Sequence, residues 1–172
     1  VGAGGVAARK LALLHKAGAK VTIVAPQLSK RMQSTLCYGE VEYIEREFQD
    51  EDLDGVMLVV AATDNPDVNA RIAKLADARQ VPVNVVDNPE LCSFTVPSIL
   101  DRSPVMIAVS TGGHSPVLAR HLRTRHEAII PAAYGRLATL VESFREQVKQ
   151  RFEPEARRHF WEQVCHGPVA EL

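Results

Sequence analysis

The sequence predicts an α/β fold built on a parallel sheet with helices on both faces. Three observations carry this. Short apolar, β-branched runs alternate with amphipathic stretches from Val1 to about Val86. A glycine-rich turn, "VGAGG", opens directly into one of the amphipathic stretches. The apolar runs lie far enough apart that a helix can cross between them, and such crossovers pair strands in parallel with right-handed connections.

Taken in order, "VAARKLALLHKAG" is a helix that places Val6, Leu11, Leu13, Leu14 and Ala17 largely on one face and stops at Gly18. "AKVTIVAP" is a buried strand closed by proline. "QLSKRMQSTLC" reads as a short helix, and "EVEYIE" alternates strictly, as a strand with one wet face does. "GVMLVVAAT" is the most apolar run and is expected to be the central strand. "NPDVNARIAKLADARQ" follows as a helix with Asp64 or Asn65 as cap and Pro66 near its first turn. "VPVNVVD" is the next strand, the fifth when a truncated first strand at Val1 is counted. After Asp87 the rhythm changes to short strands separated by Pro89, Pro97 and Pro104. "SPVLARHLRTRHEAII" is then a helix with Ser115 as cap and Pro116 at its first position. From Pro131 to about Val164 the text is helical and highly charged.

Composition narrows the function. Hydrophobic residues at 46% and charged residues at 24% describe a soluble globular chain. A net charge of -1 argues against a nucleic-acid or anionic-membrane partner. No apolar run approaches the roughly 20 residues of a membrane span, and no signal peptide is visible. Cys37, Cys92 and Cys165 are odd in number, far apart and without CxxC spacing. They predict separate thiols in a reducing cytoplasm, with neither a disulfide framework nor a structural zinc site.

The glycine turn carries the first chemistry. Gly2, Gly4 and Ala7 fit G-x-G-x-x-A. The first glycine permits a tight turn, the second lets a pyrophosphate approach the backbone, and the small third residue lets helix and strand pack closely. The pyrophosphate would sit at the N-terminus of the helix that begins near Gly5, where free N–H groups and the helix dipole favour an anion. The acid that usually follows the second strand to take the ribose hydroxyls is replaced by Ala25 and Pro26. The adenosine is therefore expected to rest on backbone and on side chains such as Gln27, and the loop does not by itself choose NAD over NADP. A sheet of this type needs about five residues before its first glycine. Only Val1 precedes Gly2, so the expectation is a fragment whose N-terminus lies upstream.

Four stretches together are similar to one family: "VGAGGVAARKLALLHKAGAKVTIVAP", "VVAATDNPDVNARIA", "VPVNVVDNPELCSFTVPSILDRSPVMIAVSTGGHSPVLARHLR" and the helical tail with "RRHFWEQV". They resemble the N-terminal module of siroheme synthases, the precorrin-2 dehydrogenase and sirohydrochlorin ferrochelatase family, from Val1 to about Val164. The resemblance implies NAD-dependent dehydrogenation of precorrin-2 to sirohydrochlorin, then Fe2+ insertion to give siroheme. It implies a cytoplasmic homodimer with a Rossmann-type NAD domain (1–95), a dimerisation segment (96–130) and a helical domain (131–172). Asp87, closing "NVVD", matches the family's catalytic general base. Gly5 and Val6 match NAD contacts, Pro26 and Gln27 match contacts to the other end of the dinucleotide, and Thr63 joins the cofactor set. "STGGHSPVLAR" matches a loop where serine often holds the place of Thr111.

Read residue by residue, alternatives stay open. Asp87 stands where open α/β sheets place ligands, yet "DNP" is also good turn chemistry. Thr111, Gly112, Gly113 and Ser115 form either an anion-binding nest for a carboxylate arm of the tetrapyrrole or a plain loop with a helix cap. Arg120 and Arg123 share a helical face, with Arg125 nearby, suited to carboxylates or simply to solvent. His114, His121 and His126 lack the spacing and acidic partner of a dedicated metal site. Val141, Phe144, Val148 and Phe152, then Phe160 and Trp161, read as core packing or dimer contact. The alternative function is a dinucleotide-sensing regulatory module without catalysis.

Overall fold

The computed structural model describes residues 1–36 and 41–167. The chain divides into two compact units, Val1–Thr95 and Val96–Leu172.

In the first unit, α1 (Gly5–Lys16) leads to β1 (Val21–Val24), then α2 (Lys30–Leu36) to β2 (Val41–Ile44). A short 3-10 turn, Asp50–Leu53, precedes β3 (Val59–Ala61), α3 (Pro66–Ala78) and β4 (Val83–Val85). β1 pairs with β2 and β3 with β4, both in parallel. Val1 joins the two pairs. Its N–H group donates to Val60 O (2.7 Å) and its carbonyl accepts from Ala62 N (2.9 Å), while Gly2 N donates to Val24 O (2.9 Å). The order is therefore β2, β1, Val1–Gly2, β3, β4, which is the strand order of one Rossmann half with its neighbour.

Two apolar clusters hold these strands. Ala3, Ala7, Ala8, Leu11, Ile23 and Met32 pack α1 and α2 onto β1. Ile72, Ala73 and Ala76 of α3 pack with Val59, Ala61 and Val83 of β3 and β4. Asn65 is the α3 cap: its Oδ1 accepts from Asp67 N (2.9 Å) and Val68 N (3.3 Å), with Pro66 in the first turn. Gly18, at φ +72°, ends α1.

The structure revises several expectations. The buried face of α1 is Ala7, Ala8 and Leu11; Val6, Leu13 and Leu14 are half-buried and Ala17 is exposed. Small residues meet the sheet because helix and strand approach closely beside the glycine turn. The strand in "GVMLVVAAT" covers only Val59–Ala61, and Met57 is 91% exposed. The Val59 N–H reaches Pro82 O, so pairing starts only where β4 begins. The middle of the strand order belongs to Val1 and Gly2. The short helix is Lys30–Leu36, and Cys37 lies outside the described residues.

The second unit holds an antiparallel hairpin, β5 (Ser98–Arg102) and β6 (Val105–Val109), then α4 (Pro116–Ile129), α5 (Ala133–Arg151) and α6 (Pro154–His166). No strand forms between Pro89 and Pro97; Pro89–Leu91 is a 3-10 turn. Leu100 is fully buried, and α4 and α5 pack on the hairpin. Gly135 allows this approach, because a Cβ there would lie 2.7 Å from Ser103 O and closer still to Arg102 O. Phe152 stacks on Phe160 at 5.4 Å and Trp161 meets Phe160 edge-on at 5.0 Å. Of the expected apolar stripe, Val148 is buried, Val141 and Phe152 are half-buried, and Phe144 is 47% exposed. No described helix is long and apolar enough to cross a membrane.

Candidate functional site

Parallel pairing brings the carboxyl ends of the strands to one edge of the first unit. The glycine turn, Ala25–Gln27, Thr63 and Asp87 all follow strands at that edge. Gly2, at φ +92°, cannot be replaced: a Cβ would stand 2.7 Å from Ala62 C and 3.0 Å from Thr63 N. Gly4 is the N-cap of α1, and a Cβ there would meet nothing within 4 Å. That side is open to a ligand. No side chain caps α1 and no acid stands in its first turn, which begins at Gly5 and Val6. An uncapped helix start with open space above it suits a pyrophosphate, so the residues present fit a dinucleotide.

The loop after β1 is tied to this turn, with Ser29 N donating to Ala3 O (3.2 Å). Pro26 and Gln27 are exposed, and the Ala25 carbonyl accepts from the Tyr43 hydroxyl (3.0 Å). Burial pushes the Tyr43 pKa up, with Glu45 adding, so the hydroxyl stays a donor. Sequence reading missed Arg31. Its Cδ is the nearest atom, 3.9 Å, to a Cβ built on Gly5. Its guanidinium makes no hydrogen bond or ion pair with a described residue, leaving a cation beside the helix start. The "SKR" stretch after the second strand was the available signal.

Thr63 lies two residues past β3 and is held by Asn69. Its Oγ1 donates to Asn69 Oδ1 (2.7 Å), and its carbonyl accepts from Asn69 Nδ2 (2.9 Å). Asn69 was also missed; a polar residue on the apolar stripe of α3 was the signal.

Asp87 lies two residues past β4, exposed, at φ +57°. Aspartate tolerates this left-handed backbone, which otherwise costs about 1–2 kcal/mol per L-residue. Its carboxylate makes no hydrogen bond or ion pair with a described residue, so it is free to accept a proton. The Cys92 thiol clasps the turn beneath it. Cys92 Sγ accepts from Val85 N (3.1 Å) and faces Val85 O (3.2 Å) and Asn88 O (3.3 Å), to either of which it donates. Ser93 Oγ continues the clasp by accepting from Val83 N (2.7 Å). Burial lowers the Lys10 pKa, and the neighbouring Cys92 opposes that shift.

In the second unit, Gly112 (φ +61°) and Gly113 (φ +86°) shape the loop before α4. Ser115 caps the helix by accepting from Leu118 N (3.2 Å). Gly112 N donates to Ser110 Oγ (3.2 Å), His114 N to Thr111 O (3.1 Å), and Ser115 N to Thr111 Oγ1 (3.0 Å). These donors are spent within the loop, which weakens it as an anion nest. Arg120 is exposed, whereas Arg123 pairs with Glu127 at 3.1 Å. His126 Nδ1 lies 2.8 Å from Leu122 O. Among the described residues no group of three or more His, Cys, Asp and Glu could hold a metal ion.

Comparison with known proteins agrees with this geometry. Residues 1–98 match the family described as putative NAD(P)-binding, and residues 133–172 match the sirohaem synthase dimerisation region. The siroheme synthase of Methylobacillus flagellatus is 54% identical over 172 residues, 99% of this chain and 37% of that protein. That of Thioalkalivibrio sulfidiphilus is 54% identical over 173 residues, 100% of this chain and 35% of that protein. The chain thus spans little more than a third of the length of the curated relatives it matches. Among solved structures, a chain titled SirC, precorrin-2 dehydrogenase, superposes with a TM-score of 0.77 at 22% identity, covering 95% of this chain and 81% of that one. That likeness fixes the fold as a Rossmann-type α/β architecture. None of these findings favours the sensing-module alternative. The chain belongs to the putative NAD(P)-binding family, in the form shared with siroheme synthases and followed by their dimerisation region.

Proposed function

We propose that the protein is an NAD-dependent dehydrogenase that oxidises precorrin-2 to sirohydrochlorin, with Asp87 as general base. The observation that carries this is the Asp87 carboxylate: exposed, free of partners among the described residues and held in a clasped left-handed turn at the ligand edge of the sheet. The siroheme synthase relatives supply the substrate class.

Gly2, Gly4, Gly5 and Val6 hold the dinucleotide's pyrophosphate, and Pro26, Gln27 and Thr63 border the rest of it. Bound NAD+ supplies the acceptor for the hydride that precorrin-2 gives up. Asp87 takes the accompanying proton, so two electrons and two hydrogens leave the macrocycle in balance. A carboxylate can do this only within hydrogen-bond reach of the proton it removes. In the second unit, the Thr111, Gly112, Gly113 and Ser115 loop spends most of its donors internally, and Arg120, exposed and without a side-chain partner among the described residues, is the group there best suited to a carboxylate.

The same carboxylate serves a second step, ferrochelation. Fe2+ enters sirohydrochlorin as substrate, its ligands are the macrocycle nitrogens, and two pyrrole protons leave. We place the protein in the cytoplasm as a homodimer. The match to a dimerisation region, and the exposed Val117, Ile129, Leu140 and Phe144 of the second unit, support self-association.

The test is absorbance of sirohydrochlorin after mixing protein, NAD+ and precorrin-2. Asp87→Ala is expected to slow turnover by about 100-fold or more, the usual worth of a general base, with NAD+ affinity nearly unchanged. Turnover near the wild-type rate in that variant would remove Asp87 from the mechanism.

A further inference from the structure

Asn69 lies on the buried stripe of α3 with Ile72, Ala73 and Ala76, and is itself only 8% exposed. Apolar residues belong at such positions, and a buried carboxamide is costly unless its groups are bonded. Asn69 meets that need almost wholly through one residue. Its Oδ1 accepts from Thr63 N (3.3 Å) and Thr63 Oγ1 (2.7 Å), and its Nδ2 donates to Thr63 O (2.9 Å). The partners dictate the orientation of the amide, because a backbone N–H needs an acceptor and a carbonyl needs a donor. The side chain thus serves the backbone groups of Thr63 just past the end of β3. Gly2 stands against the Ala62–Thr63 peptide, close enough that a Cβ on it would lie 2.7 Å from Ala62 C and 3.0 Å from Thr63 N. One peptide is therefore gripped by Asn69 and bears directly on the glycine turn.

We propose that Asn69 is a positioning residue for the dinucleotide. By fixing the Ala62–Thr63 peptide, it sets the seat of Gly2 and so the geometry in which the α1 N-terminus receives the pyrophosphate. The inference rests on reading the glycine turn as the cofactor site. Loss of Asn69 lets the peptide rotate, and the turn packed on it loses its fixed seat. Asn69 acts through Thr63 and Gly2.

The experiment measures the Kd of NAD+ by calorimetry on the intact protein, well below its unfolding temperature. Asn69→Ala is expected to raise Kd roughly tenfold, and Asn69→Asp, which keeps the acceptor but loses the amide donor, roughly threefold, as suits the loss of buried hydrogen bonds. The rise in Tm on saturation with NAD+ should shrink in the same order. Ile72→Val, in the same helix and fully buried, should lower Tm while leaving Kd unchanged. Folded Asn69 variants that bind NAD+ as tightly as wild type overturn the inference, as does an equal weakening by Ile72→Val. If Asn69→Ala does not fold, Asn69→Asp decides alone. Wild-type protein that binds neither NAD+ nor NADP+ overturns the cofactor reading together with the inference. Wild-type binding that Asn69 changes leave untouched overturns the inference alone.

Discussion

Arg46 grips Asp52 with both arms of its guanidinium, Nη1 to Oδ2 at 2.8 Å and Nη2 to Oδ1 at 2.6 Å. Gln49 N donates to the same carboxylate at 2.8 Å. The carboxylate is 7% exposed and anchors the turn that leads into β3. Arg71 pairs with Asp50 of the same turn, and its guanidinium stacks over Phe48 at 5.7 Å. The link between the β1–β2 pair and the β3–β4 pair is thus tied down by charge as well as by Leu53 in the core.

A pH dependence follows from that grip. The Arg46 hydrogen bond holds the Asp52 pKa below its ordinary value; burial opposes this and the Gln49 N–H supports it. Between the folded and unfolded pKa values the unfolded chain binds more protons, so stability rises with pH in that window. The contribution is complete above about pH 5, since unfolded aspartate titrates near 3.9, and fades as pH falls toward the depressed folded value. Asp52→Asn should cost about 1–3 kcal/mol at neutral pH and flatten the acid limb of stability against pH. Urea unfolding from pH 7 to 3 measures both. An unchanged acid limb in the variant would mean that other carboxylates dominate it.

Arg31 gives a prediction about affinity. It is exposed, lies beside Gly5, and its guanidinium has no partner among the described residues. Arg31→Ala should raise the Kd for NAD+ about three- to tenfold, in line with the roughly 1 kcal/mol of an exposed charge contact. The difference from wild type should narrow at high salt, because exposed charges are screened within about 10 Å at 0.1 M ionic strength. Tm should stay put. Calorimetric titrations at low and high salt check this; a Kd insensitive to the substitution at low salt removes Arg31 from the phosphate's surroundings.

What could be read from the sequence and what could not divides along physical lines. The crossovers were legible because helical and strand periods differ, and the cap residues Asn65 and Ser115 because their side chains act on their own helices. The glycine turn was legible from its G-x-G-x-x-A spacing ahead of a helix, and of its two glycines Gly2 has a backbone reason to lack a Cβ while Gly4 leaves open space. Asp87 was marked by its place after the "NVV" strand and by the family resemblance of "NVVD". Its clasp by Cys92 was hidden, because that thiol acts on backbone rather than on another signalling side chain. The "GVMLVV" run was overextended because hydropathy does not reveal where a partner strand begins. Asn69 and Arg31 escaped because their meaning depends on residues remote in sequence, Thr63 and Gly5.

The second unit turns on a single missing methyl group. Gly135 lies in the first turn of α5, where its helical backbone would accept alanine without strain. A Cβ there would nevertheless lie 2.7 Å from Ser103 O and nearer to Arg102 O, and 3.1 Å from Arg102 C. These are backbone atoms of the β5–β6 turn, which cannot swing aside as a long side chain can. Arg102 Nε also donates to Ile130 O at 3.0 Å, tying that turn to the end of α4. Moving the turn would therefore disturb α4 as well as α5. Alanine is the better helix former by about 1 kcal/mol, so an unpacked site would gain stability from the change. Here overpacking outweighs propensity, and Gly135→Ala should destabilise the protein by about 1–3 kcal/mol. Gly135→Ser should cost at least as much, because it adds the same Cβ. Thermal unfolding of the two variants checks the sign. A Gly135→Ala protein as stable as wild type would show that α5 does not press on the hairpin as closely as 2.7 Å implies.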